Sequence, residues 1–510
     1  MLLLSLLACQ SSSIKLRDSA GDSPHDSVPV DSGDDTATDS DAVVVPVAVI
    51  LPPGAATAGV PLMLDGSGSY DPDGDALTGF DWACADGQTS AGPTASLAFA
   101  AGIQTCTLVV QDAEGLSGTA SVDFDVQNGG TTHASWTVMV FMNGDNDLEE
   151  WALGDMNELE QVGSTDDVNF IVQMDRSPDY TRADGDWTGS RRYRVEADAS
   201  TRAIGSRVLE DLGETDAGDP QTVIDFATWS IQNYPADHYA LIFWDHGWGW
   251  TFAPDGLAPK KGISWDESTD SDISPAQGEL LHIVDAVDLQ IGGKLDLLGM
   301  DACVMADWEI AEQLRNDVSV YLASQDYEGT DGFDYTGMSD LTADPAMDAA
   351  SLAASVALHF HEIPDSTMSA VDLTKMDAVT AALNTLSDAL LRSADPGAML
   401  NTAASNAQGF DGTASTDHDL ADMLDKLAAM DPNAEGADPA TADIVAAAAS
   451  TRAALDAAMV VNYNLGGAVK NANGLSLYSP VRGRMDTTWF DGTWAADTTW
   501  GDFLTAARAH

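Results

Sequence analysis

Apolar and polar residues are distributed in three different ways along the chain, and the changes mark its organisation. Residues 11–41, including DSGDDTATDSDA, carry almost no large apolar side chains. Such a segment cannot offset the entropy of ordering and reads as a self-repelling acidic tether. Between Val45 and Val126, short β-rich runs are separated by Gly, Pro and Asp turns, the cadence of a small antiparallel sandwich. From Trp136 onward, buried-strand patterns alternate with helical ones, which predicts an α/β fold with a mainly parallel sheet.

In that last region WTVMVFM (Trp136 to Met142) is the first predicted strand, and VNFIVQMD (Val168 to Asp175) is the second. Between them Leu148, Trp151, Leu153, Met156 and Leu159 recur at near-helical spacing. Further strands are expected at Tyr239 to Trp244, Lys294 to Met300 and Val318 to Ser324, and a late one at Gly474 to Pro480. The domain reading is therefore a leader at 1–9, a linker at 10–44, a β-sandwich at 45–128, a short linker at 129–135 and an α/β domain at 136–510.

Charge changes the picture of partners. Lys and Arg total 21 against 82 Asp and Glu, a formal charge of −61. Nucleic acid is excluded as a partner, because a chain this acidic cannot easily assemble a basic face. The field would draw in cationic peptides, although solubility in salty or calcium-rich surroundings explains the same charge.

Four cysteines occur, and each has a different neighbourhood. The opening MLLLSLLACQSSS resembles a bacterial lipobox, with Cys9 as the acylated residue, although it lacks a positive n-region. The alternative is a start site set inside a longer signal, with plain secretion. The expected location is extracellular or on the cell surface, as an outer-membrane lipoprotein touching the membrane only through its lipid, and monomeric.

The sandwich segment resembles a PKD-type immunoglobulin-like repeat in LDGSGSYDPDGDAL, in Trp82-Ala83-Cys84-Ala85-Asp86-Gly87 and in the strand from Gly102 to Asp112. Cys84 and Cys106 stand at core positions of that pattern, and alternation puts Cys106, Leu108 and Val110 on one face. Two cysteines in one exported sandwich read as a disulfide, the alternative being two core thiols. Asp71, Asp73 and Asp75 could offer oxygens to Ca²⁺, and a plain acidic turn is the simpler alternative.

In parallel sheets, function gathers at the carboxyl ends of strands. Asp245-His246-Gly247-Trp248-Gly249-Trp250 follows one predicted strand and Asp301-Ala302-Cys303-Val304-Met305 another. A histidine beside glycines and a cysteine at a second strand end suit thiol catalysis, with the Gly247 and Cys303 N–H groups as oxyanion donors. VMADWEIAEQLR reads as a helix begun by Cys303, whose dipole would favour a thiolate. A carboxylate at Asp301 could accept a guanidinium in a fork, or cap that helix.

These stretches resemble the clostripain family of cysteine peptidases, whose fold is the caspase-like α/β sandwich. The likeness runs through WTVMVFMNGDNDLEEWALGDMNELEQVGS, LIFWDHGWGW, KGISWDES, LDLLGMDACVMADWEIAEQL, ASQDYEGTDGFDY and NGLSLYSP. It implies an endopeptidase acting on peptides and proteins after Arg, with Lys second, through His246 and Cys303, and with Asp301 at the base of the S1 pocket. Asp331 in EGTDGFDY is a second S1 candidate. Trp248 departs from a glycine frequent in the family and would narrow one wall. The chemistry requires no cofactor, while the resemblance implies that Ca²⁺ supports activity. It also implies self-processing between the two catalytic strands, where Lys260 and Lys261 are the only basic residues in Thr251 to Asp272; a solvated lysine pair is the alternative. The competing class is a surface adhesin that binds through the sandwich and keeps the α/β domain as a scaffold.

Overall fold

The computed structural model describes residues 45–50, 56–58, 61–72, 76–127, 133–250, 262–360, 366–410, 416–464, 466–481 and 485–509. Cys9, Asp73, Asp75, Lys260 and Lys261 lie outside the described residues. The chain divides into two compact units, one within residues 12–132 and the other holding residues 133–510.

In the smaller unit, a sheet is ordered Ala56–Thr57, Ser117–Gln127, Gly102–Gln111, Gly79–Cys84, Thr89–Ala91, and a separate pair joins Pro61–Asp65 to Thr94–Ala98. Alternation works as the pattern demands: Cys106, Leu108 and Val110 are buried, with Trp82, Leu64 and Phe124 packed in the same core. Cys84 and Cys106 stand directly opposite on neighbouring strands, with Cα atoms 4.0 Å apart, and are joined by a disulfide. The bridge therefore staples one sheet rather than tying two together. Asp71 is almost buried in this unit.

The larger unit is built on nine strands: β1 (Ala134–Gly144), β2 (Val168–Arg176), β3 (Ser190–Arg194), β4 (Val208–Gly213), β5 (Ala236–Trp244), β6 (Leu295–Asp301), β7 (Val318–Ala323), β8 (Thr367–Asp372) and β9 (Met459–Asn464). Their order is β4-β3-β2-β1-β5-β6-β7-β8-β9. The five from β2 to β7 in the middle of that order run parallel, and an antiparallel pair extends each edge. Central strands are covered on both faces, which is why they read as unbroken apolar runs. On β1, for example, Trp136, Val138, Val140 and Met142 face one core while Met139 and Phe141 face the other.

Helix α1 (Glu149–Val162) packs on the first face through Met156 and Leu159. Helices α2 (Pro220–Asn233) and α3 (Glu279–Ile291) cover the opposite face. Asp219 starts α2 by accepting the Gln221 N–H, and Pro220 occupies the first turn, where its missing N–H costs nothing. Among the described residues, no helix is long and apolar enough to cross a membrane.

Three expectations change. The segment after Cys303 is a turn, and helix α4 begins only at Trp308 and ends at Gln313. Val304 has a φ of +53°, which no helix can continue through, so neither the dipole argument for Cys303 nor the capping alternative for Asp301 holds. The late strand shortens to Ser476–Tyr478 and pairs with Asp417–Asp419 outside the main sheet. The antiparallel edge strands β3, β4, β8 and β9 are additional, since their mixed, short patterns carry little periodic signal.

Many carboxyl groups are buried in this unit. Burial pushes Glu309 up to about 8, Glu312 and Asp288 to about 7, and Asp419 to about 6. A raised folded pKa contributes stability that is full below the ordinary carboxylate range and lost as pH rises through the folded value. Thermal unfolding should therefore occur several degrees higher at pH 5 than at pH 8.5, as read by calorimetry. A melting temperature that rises between those pH values would contradict this accounting.

Candidate active site

β5 and β6 are adjacent and parallel, with Trp244 paired to Asp301. His246 and Cys303 each lie two residues beyond that pair, so one register brings both to the same level at the carboxyl end of the sheet. The Asp245 N–H still reaches the Asp301 carbonyl at 3.3 Å, which carries the strand pairing one step past the ends.

Glycine lets the two following loops touch. A Cβ on Gly247 would sit 2.5 Å from the Cys303 carbonyl oxygen and 3.0 Å from the Ala302 Cβ. Further along, Asp307 Oδ2 accepts the Trp250 N–H at 3.0 Å, tying the histidine loop to the start of α4. The turn at Cys303 is strained, because β-branched Val304 holds its positive φ while its N–H donates to the Asp326 carbonyl at 3.1 Å. The Glu328 N–H donates to Cys303 Sγ at 3.3 Å.

His246 is almost fully buried, and its Nε2 lies 2.8 Å from Asp147 Oδ1. Its Nδ1 is sealed from solvent and has no hydrogen-bond partner among the described residues. Trp248 and Trp265 flank the ring, at 5.3 and 6.0 Å between centroids. The loop that carries Asp147 is held in turn: Asn146 Nδ2 donates to Asp245 Oδ1 at 2.7 Å and to the Trp265 carbonyl at 2.8 Å, and Asn143 Nδ2 donates to Asp245 Oδ2. Asp245 is wholly buried, and burial raises its pKa well above the carboxylate range.

A cleft is lined by His246, Cys303, Ala302, Asp301, Trp244 and Leu148, with Glu328, Gly329, Thr330 and Gly332 from the loop after β7. Asp301 forms its floor. Oδ1 accepts the Phe333 N–H and Oδ2 the Tyr335 hydroxyl, each at 2.9 Å. Burial pushes this carboxyl up to about 7, against the lowering effect of those donors. Glu328 lies within hydrogen-bonding reach and is pushed higher still by burial and by the Asp301 charge. Two carboxyls so close do not both ionise readily, and of the two Glu328 holds its proton to the higher pH.

Asp155, which accepts from Trp244 Nε1 at 2.6 Å and whose pKa burial raises well above the carboxylate range, and Glu158, pushed up to about 7 by burial, are further carboxyls in the same surroundings. Asp331 is exposed beside Gly332, at the rim and not among the residues lining the cleft. The Gly247 N–H makes no hydrogen bond among the described residues and sits against the Cys303 turn. Sequence reasoning passed over Asp147 and Glu328. Nothing in the pattern of DNDLEE separates Asp147 from a helix-start carboxylate, and Glu328 reads as an ordinary loop acid.

The arrangement offers a cysteine sulfur, an imidazole oriented by a carboxylate, and a carboxyl floor. Comparison with known proteins gives matches for both units. The clostripain family model matches residues 140–504, and a PKD domain model matches residues 43–126. Clostripain of Hathewaya histolytica is 31% identical over 193 residues, a match that spans 35% of this chain and only 36% of that protein. The fold is similar to that of a secreted C11 cysteine protease from Bacteroides thetaiotaomicron in complex with an irreversible peptide inhibitor, at TM-score 0.51 and 18% identity over 74% of this chain and 100% of that one. An inactive zymogen C11 protease from Parabacteroides distasonis gives a TM-score of 0.52 at 18% identity, covering 74% of this chain and 99% of that one.

The close approach of the two loops can be tested directly. Gly247→Ala and Gly332→Ala should each destabilise the unit by about 1–3 kcal/mol, the usual cost of overpacking, since a Cβ on Gly332, at a φ of +53°, would sit 2.6 Å from Asp301 Oδ1. Urea denaturation of both variants checks this; unchanged midpoints would mean that the loops do not meet at these points.

Proposed function

Because the chain belongs to the clostripain family, we propose that it is a cysteine endopeptidase that cleaves after arginine, and second after lysine, through Cys303 and His246. The observation that carries this reading is the cleft shared by Cys303 and His246 over a buried Asp301. Asp147 fixes Nε2 of the imidazole, which leaves Nδ1 to exchange protons with the thiol and the leaving amine. The Cys303 thiol gives its proton to His246, and the thiolate attacks the scissile carbonyl. The backbone N–H groups of Gly247 and Cys303 receive the oxyanion, the C–N bond breaks, and His246 protonates the departing amine. Water then adds to the thioester, releasing the acid and restoring the thiol.

Specificity follows from the floor. A guanidinium can meet a carboxylate through two N–H groups, whereas an ammonium meets it as a point charge, so Arg outranks Lys. The charge that favours either cation is that of Asp301, and Asp331 at the rim contributes at longer range. Self-cleavage after Lys260 or Lys261 belongs to the same reading, because a pocket that takes basic side chains would take this pair. So does export with Cys9 acylated, which would hold the enzyme at the cell surface, facing peptide substrates.

Cys303→Ala should abolish hydrolysis of a fluorogenic arginine peptide under reducing conditions while leaving the melting temperature unchanged. Asp147→Asn should lower kcat by about tenfold or more with little change in KM, as expected when a general acid loses its orienting partner. Turnover that survives Cys303→Ala would sink the mechanism.

Asp301→Asn should cost about 2–5 kcal/mol in kcat/KM for arginine substrates, a drop of well over tenfold. For the parent enzyme, kcat/KM should rise with pH through about 7 as Asp301 gives up its proton. Binding of an arginine chloromethyl ketone analogue lacking the reactive group should release a proton, seen as buffer-dependent heat in titration calorimetry. Equal cleavage after apolar residues would remove the pocket assignment.

A further inference from the structure

His246 has two kinds of surroundings. It shares the cleft over Asp301 with Cys303, and neither Trp248 nor Trp265 lines that cleft. Both indoles border the imidazole instead, at 5.3 and 6.0 Å between centroids, and each is partly exposed beside a ring that is almost fully buried. Backbone pairing holds them there. The Trp248 N–H donates to the Gly262 carbonyl at 2.9 Å, Gly247 bridges to Ile263, and the Trp265 carbonyl accepts Asn146 Nδ2. The histidine loop, the hairpin Ile263–Asp266 with Ser271–Ile273, and the loop of Asp147 are therefore tied together.

The same edge carries negative charge. Glu267, two residues beyond Trp265, is exposed and accepts the hydroxyl of Tyr180, itself an exposed aromatic residue. Burial raises the pKa of that hydroxyl first, and the charges of Glu267, Asp147 and Asp179 raise it further, so three carboxylates gather around one phenol. The Glu267 N–H donates to the Asp145 carbonyl at 2.8 Å, which fixes the acidic end of the hairpin to the loop of Asp147.

We propose that Trp248, Trp265 and Glu267 form a subsite on the leaving-group side, and that it receives a cationic side chain, arginine ahead of lysine, from the residue just after the cleaved bond. The subsite depends on the proposed roles of Cys303 and His246. An imidazole that protonates the departing amine must come within about 3 Å of its nitrogen, and that nitrogen belongs to the residue after the cleaved bond. The side chain of that residue begins only two bonds further on, each about 1.5 Å long, so it meets whatever borders the imidazole. Here the border is indole.

Indole faces beside carboxylates favour cations over neutral chains and over anions. A guanidinium stacks on an indole within about 6 Å of its centroid, and it is more weakly hydrated than an ammonium, so it loses less on leaving water. The chain already holds such an arrangement within its own fold. The Arg192 guanidinium lies 4.9 Å from the Trp229 centroid, its Nη1 donates to Glu210 Oε2 at 2.9 Å, and the other oxygen of Glu210 accepts the Trp229 indole N–H. An arginine supplied by substrate would complete the same trio beside His246. The substrates implied are chains with paired basic residues, cut between the two.

Peptides with a fixed arginine, followed by Arg, its neutral isostere citrulline, Ala, Phe or Asp, separate these contributions. Under reducing conditions, kcat/KM for the full chain should be about fivefold or more higher with Arg than with citrulline or Ala, the scale of one partly exposed cation–indole contact, and lowest with Asp. Mass spectrometry identifies the bond cut, because the second arginine could itself enter the pocket over Asp301. Trp248→Leu and Glu267→Gln should each bring the ratio of Arg to citrulline toward one, while the ranking of Arg over Lys before the cleaved bond stays as in the parent. The same order should appear as affinity in titration calorimetry with the Cys303→Ala chain, which reads binding without turnover. Equal rates and affinities for Arg and citrulline, a preference for Phe, or a ratio unmoved by both variants overturns the subsite. Peptides that bind in the expected order yet are never hydrolysed by the parent would instead count against the active-site reading.

Discussion

The parallel register of β5 and β6 is the constraint on which the rest of the site depends. Trp244 and Asp301 are paired, so the residues two further on emerge side by side without any long-range search. Everything else refines that placement. Gly247 lets the histidine loop lie against the carbonyl of Cys303, and Asp307 pins the far end of the same loop through the Trp250 N–H. A sheet buried on both faces is stiff, so its strand ends hold catalytic groups more accurately than a free loop would.

The second theme is carboxyl groups held out of water. Asp245, Asp301, Asp307, Glu309 and Glu328 are all buried, and burial raises the pKa of each. Elsewhere such groups are satisfied by neighbouring donors, as when Asp419 takes the Asp422 and Asn473 N–H groups and the side-chain amides of Gln325 and Asn473. In the cleft the donors are fewer than the acceptor positions. Asp301 has one amide and one hydroxyl donor, which leaves acceptor positions open toward the cleft. The same shortage of donors recurs at Asp145, whose two sealed carboxylate oxygens have no hydrogen-bond partner among the described residues.

Much of this was legible in the chain. Unbroken apolar runs announced the central strands, near-helical spacing announced α1, and period-two alternation placed Cys106 inward. The edge strands were not legible, because short antiparallel segments with mixed faces resemble loops until a sheet is there to receive them. The turn at Cys303 was misread as a helix for a related reason. VMADWEIAEQLR has helix-forming residues throughout, but packing of the Gly247 loop against Cys303 and the bond from Val304 to Asp326 hold the backbone at a positive φ.

By itself, then, the sequence determined the fold class, the two folded units, and the identities of His246, Cys303 and Asp301 as the residues to inspect, since periodicity and motif are local properties of the chain. Tertiary structure alone decided the partners. Asp147 reaches His246 across almost a hundred residues, Glu328 meets Asp301 across a strand and a loop, and Asp145, Glu214 and Asp266 converge from three separate segments. A carboxylate in a sequence carries no sign of what it will face. Only the packed backbone sets the distance and burial that decide which groups it meets.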